Sequence, residues 1–60
     1  MTLGLGHVAY WASKAEEFRA RAAECEEKAN QAKDAEAKRL LREAAEVWRS
    51  MATQAERLGQ

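Results

Sequence analysis

The chain reads as all-α: an antiparallel hairpin of two helices, coiled-coil-like, that is expected to dimerise into a four-helix bundle. Two apolar stripes and a break in register between them point there. The first stripe is Val8, Trp11, Ala15, Phe18, Ala22, Cys25 and Ala29, and the second is Ala37, Leu41, Ala44, Trp48, Met51, Ala55 and Leu58. Alternating steps of three and four place each set on one face of a helix, as in a coiled-coil seam. Continuing the first stripe as one helix would put Glu36, Arg39, Glu43 and Glu46 on the apolar face. The observed second stripe starts one residue later, a rotation of about 100° on a continuous helix. A chain reversal removes that conflict. An unbroken helix is the alternative.

The elements follow in order. Residues 1–6 hold Gly4 and Gly6 and are expected to be a flexible N-terminal segment, because glycine weakens a helix. From His7 to Leu58 there is neither Gly nor Pro, and Ala, Glu, Lys and Arg dominate, which is strong helix composition. This predicts a hairpin domain over 7–60, with helix 1 at about 7–31, a turn at about 31–34 and helix 2 at about 35–58. Asp34 suits an N-cap, Glu36 a first turn where the helix dipole favours an anion, and Asn30 a left-handed C-terminal position. Gly59 suits a helix stop. A turn near residue 33 would set the layers Val8–Leu58, Trp11–Ala55, Ala15–Met51, Phe18–Trp48, Ala22–Ala44, Cys25–Leu41 and Ala29–Ala37.

Helix 2 carries more apolar surface than one seam needs. Leu40 and Val47 flank the stripe on one side, and Ala45 and Ala52 on the other. A face that wide suits a bundle helix with two neighbours. The outer charges fall at i,i+4 in Glu17–Arg21, Glu24–Lys28, Asp34–Lys38, Arg39–Glu43 and Arg42–Glu46, a spacing that modestly supports helices.

Bulk properties narrow the function. The chain has 60 residues, enough for one domain. Half of its 47% hydrophobic residues are alanine, so a lone hairpin has few large side chains to bury, and small folds commonly need disulfides, a metal or a partner. One cysteine excludes an internal disulfide, and no Cys/His cluster offers a zinc site. Burial against a second chain is the remaining route, so a homodimer or a helical protein partner is expected. Ten basic and ten acidic residues give a net charge of zero, which offers no long-range attraction to nucleic acid or to an anionic membrane. No segment approaches a membrane span or a secretory signal, and a free thiol without one fits the cytoplasm.

The strings Ala9-Tyr10-Trp11, Lys14-Ala15-Glu16-Glu17-Phe18-Arg19, Asp34-Ala35-Glu36-Ala37-Lys38-Arg39, Glu43-Ala44-Ala45-Glu46-Val47-Trp48 and Ala52-Thr53-Gln54-Ala55-Glu56-Arg57 cover much of residues 9–57. Together they resemble a group of small helix-hairpin proteins of alphaproteobacteria. Their pattern is a Tyr-Trp start, an Ala-Glu-Glu-x-Arg stretch, an Asp-Pro-Glu-Ala-Lys turn and an aromatic-bearing second helix. Ala35 stands where that group often has proline. The group has no established activity, so the resemblance implies a fold rather than a function.

No catalytic or cofactor constellation emerges. Cys25 sits on the seam between Glu24 and Glu26, whose charge disfavours a thiolate; packing is the first reading and a redox role the second. His7 is the only imidazole and lacks the Glu-x-x-His or His-x-x-x-His company that metals need, so it reads as a surface histidine. Gly4-Leu5-Gly6 fails as a phosphate loop, because Ala9 holds the third glycine position and no strand precedes it. Lys14, Arg21 and Lys28 make a basic stripe, but glutamates surround it and a solvated edge explains it. Tyr10 lies beside the seam and is the candidate for exposed partner recognition. The expected interaction core is Trp11, Phe18, Leu40, Leu41, Val47, Trp48 and Met51. The sequence therefore suggests a non-enzymatic interaction or structural protein without cofactors. A ligand- or redox-responsive bundle built on an apolar pocket or Cys25 is the alternative, and a nucleic-acid-associated protein is a third reading that the zero net charge disfavours.

Overall fold

A computed structural model describes the backbone from Leu3 to Gln60 and the side chains from Val8 onward. The chain forms two helices, α1 (Leu3–Gln31) and α2 (Ala35–Leu58), packed against each other as a hairpin. Ala32, Lys33 and Asp34 make the reversal. The one-rod alternative is thereby excluded.

Each boundary has a local cause. Asp34 takes an extended conformation, and its carboxylate accepts a hydrogen bond from the Ala37 N–H at 2.9 Å, satisfying one orphan donor of α2. The end of α1 closes without a left-handed residue. Asn30, expected to be able to adopt that conformation, is helical, and no described residue has positive φ. The Ala32 N–H instead donates to the carbonyls of Lys28 (2.9 Å) and Ala29 (3.3 Å), a bifurcated finish that needs no special backbone. At the other terminus the Gly59 N–H caps α2 by donating to Ala55 and Glu56. Gly59 has φ −83°, so its role is steric: a Cβ there would stand 3.3 Å from the Trp11 Cβ.

Helix α1 begins at Leu3, four residues ahead of the expected start at His7. Gly4 and Gly6 thus lie inside its first turns rather than in a loose leader. Propagation adds one hydrogen bond per residue ordered, and each glycine subtracts only about 1 kcal/mol. Met1, Thr2 and the side chain of His7 lie outside the described residues.

The seam is built from alanine. Among the described residues, Ala15, Ala22 and Ala29 on α1 and Ala45, Ala52 and Ala55 on α2 are the buried hydrophobic residues, and no larger side chain is fully buried. Small residues one heptad apart let two backbones approach closely. The Cα envelope is 13 Å across; allowing a Cα radius of about 2.3 Å for each helix leaves roughly 8 Å between the axes, the tight end of the usual range. Trp11, Phe18, Cys25, Leu41 and Trp48 are half-buried along one side of this alanine spine.

The first expected stripe is therefore the α1 seam from Trp11 to Ala29, whereas the second holds at Leu41, Trp48 and Ala55 and is displaced by one residue at Ala44 and Met51. Burial on α2 falls on Ala45 and Ala52, while Ala44 is half-buried and Met51 exposed. The layers Ala15–Met51 and Ala22–Ala44 are corrected accordingly, and Val8–Leu58 is not a closed layer because both side chains are exposed. Phe18–Trp48 is present as drawn, with ring centroids 5.6 Å apart.

Candidate interaction surface

Helix α2 carries two apolar stripes side by side. Residues Leu41, Ala45, Trp48, Ala52 and Ala55 face α1. One residue earlier at each step, and so about 100° around the helix, run Leu40, Ala44, Val47, Met51 and Gln54, and the stripe ends on Leu58. Leu40 is 51% exposed, Val47 59%, Met51 37% and Leu58 50%. Three of the expected core residues, Leu40, Val47 and Met51, thus lie on the outside of a single hairpin. The other four, Trp11, Phe18, Leu41 and Trp48, are only half covered by it.

The second stripe adjoins a shallow cleft of about 450 Å³ between the helices. Its floor is Phe18, Cys25, Leu41 and Trp48, and its α1 rim is Glu17, Arg21, Glu24 and Lys28. Cys25 is half-buried in that floor rather than sealed inside the seam. The rim is charged but largely self-neutralised. Lys14 meets Glu17 at 3.4 Å and Arg21 meets Glu24 at 3.7 Å, both at i,i+3. These replace the expected Glu17–Arg21 spacing, while Arg39 does pair with Glu43 at 2.9 Å and also takes Glu36 at 2.8 Å.

Tyr10 is 54% exposed at the open end of α1. Its ring stands edge-on to Trp11, with centroids 5.0 Å apart and planes at 83°, and the Lys14 ammonium lies 5.6 Å from its centre. Both are favourable geometries for an aromatic ring. They hold the phenol in place and leave it facing solvent.

The opposite face of the hairpin differs in kind. A groove of about 300 Å³ there is floored by Ala22, Ala23 and Ala52 and bordered by Arg19, Arg49 and Glu56. Two ion pairs cross between the helices, Arg19 with Glu56 and Arg49 with Glu26. Counting i,i+4 neighbours along one helix cannot reveal such pairs, because their partners are remote in sequence. The signal that could have found them is heptad symmetry: Arg19 to Glu26 is one heptad forward on α1, and Glu56 to Arg49 one heptad back on α2. One face is therefore small, polar and cross-linked by charge. The other is broad and apolar.

Among the described residues, no three His, Cys, Asp or Glu side chains gather as a metal site, and no helix is long and apolar enough to cross a membrane. Comparison with known proteins adds no assignment: no family model, curated protein or solved structure matches the chain.

Proposed function

We propose that this chain is a non-enzymatic helical interaction protein that acts by self-association, two hairpins joining through their apolar faces into a four-helix bundle. One observation carries the reading. Among the described residues every fully buried side chain is alanine, whereas Leu40, Val47, Met51 and Leu58 stand in solvent along one heptad stripe. Apolar surface arranged at helical spacing and rimmed by polar residues marks a protein contact. A helix of another protein is the other occupant of the same chemistry.

The test is the mass of the purified protein by light scattering. Self-association predicts twice the 6.7 kDa of the single chain at micromolar concentration, and replacement of Val47 and Met51 by lysine should return it to one copy. A wild-type chain that stays at one copy across that range rules the reading out.

A second reading rests on the cleft that holds Cys25 beside Phe18, Leu41 and Trp48. There the bundle would take up a small apolar molecule or respond to oxidant through the thiol. Absorbance and intact mass of protein from its native cell separate the two, since a coloured or mass-shifted product is required by this second reading alone.

A further inference from the structure

Building on the self-association reading, we infer that the second copy docks in one direction, α2 against α2 and antiparallel, so that the two turns lie at opposite ends of the assembly.

Surface area argues that a second copy is the occupant. A compact folded chain of 6.7 kDa is expected to expose about 3,900 Å². This hairpin exposes 4655 Å². The excess, roughly 750 Å², is close to the ~800 Å² that each partner contributes to a stable interface. A two-fold dimer then needs one self-complementary patch, which the outer stripe of α2 supplies.

Direction follows from what flanks the stripe. The heptad row that flanks it on the side away from α1 is Glu36 and Glu43 toward the turn, then Ser50, and Arg57 toward the C-terminus. In a parallel pair these positions flank the side of the second copy that carries Leu41, Trp48 and Ala55, so neither Glu43 nor Arg57 gains a charged partner. Reversing one helix brings Glu43 alongside Arg57 of the second copy, twice by symmetry, while Glu43 keeps its contact with Arg39. Knob-into-hole layers in an antiparallel pair join unlike heptad positions. Centred on the stripe, they set Leu40 against Leu58 of the second copy, Val47 against Met51 and Ala44 against Gln54. Each layer occurs twice, and no large residue of the stripe is left over.

Equilibrium cross-linking tests this. In a C25A background, chains carrying V47C and chains carrying M51C are mixed in equal amounts in a glutathione buffer, and the disulfide-linked pairs are separated by mass. Antiparallel docking predicts the mixed V47C–M51C disulfide as at least about nine-tenths of the linked product, against about half for random pairing, because exchange selects the sulfurs held together. Dominance of either like-with-like disulfide, or a random ratio, overturns the direction while a two-copy mass keeps the self-association reading. A single-copy mass overturns both. Charge reversal provides a route without cysteines: E43R and R57E should each weaken association at least threefold, and E43R/R57E should restore it at low salt. Failure of the double variant to recover counts against the proposed alignment.

Discussion

Phe18 and Trp48 meet across the hairpin with ring centroids 5.6 Å apart and planes tilted by 36°, a contact between two large aromatic side chains that joins the two helices. Among the described residues, the fully buried positions of the seam are all alanine. The pair therefore holds a disproportionate share of the apolar contact. Trp48→Ala should lower the midpoint of a circular-dichroism melt sharply. Core Trp or Phe to Ala changes cost about 3–5 kcal/mol, and half-burial puts this one at the lower end. In a double-mutant cycle with Phe18→Ala the two losses should couple by roughly 0.5–1.5 kcal/mol. Simple additivity would mean that the rings do not act as a pair.

The alanine spine makes an opposite prediction, that enlargement is worse than truncation. Ala22 is 2% exposed in the seam. Leucine there must push the backbones apart or leave its rotamer, at a cost of about 1–3 kcal/mol. Ala20, two residues away on the exposed side of α1, should accept leucine with no loss, since both residues are good helix formers. Equal melting curves for A22L and A20L would show that the seam is not closely packed.

Much of this could be read from the residues alone, and the places where it could not share a cause. On α1 a single apolar stripe from Trp11 to Ala29 admits one seam, so its face was legible. The reversal before Asp34 was legible because a charged set of residues would otherwise have been buried. On α2, position 44 is followed by 45 and position 51 by 52, all apolar, so pattern alone cannot choose between adjacent stripes. Close approach chooses. Alanine at 45 and 52 admits the neighbouring backbone, where Met51 would hold it away. The start of α1 eluded composition for another reason, since two glycines lower helix propensity without forbidding it.

Asp34 offers the most local test. Its side chain accepts from the Ala37 N–H at 2.9 Å, and its own carbonyl accepts from Lys38 at 3.0 Å. D34A should cost about 1 kcal/mol through loss of the cap, and D34N should recover most of it. With Ala35 where a proline would preset the first helical turn, no other device fixes the start of α2 so directly. An unchanged melting midpoint in D34A would transfer control of the turn to the packing of the seam.

The charged face sets the register. Arg19 pairs with Glu56 and Glu26 with Arg49, both across the helices and one heptad apart, so a slip of either helix by one turn would break both at once. Their side chains are about half exposed, which limits each pair to about 1 kcal/mol or less in water. R19E should therefore destabilise modestly, by setting like charges against Glu56, and R19E/E56R should restore the wild-type melt. The recovery should be clear at low salt and fade as ionic strength approaches 1 M, where the screening length falls to about 3 Å. A double variant as unstable as the sum of its parts would mean that the pair is incidental to the register. Apolar layers alone would then have to hold Phe18 opposite Trp48.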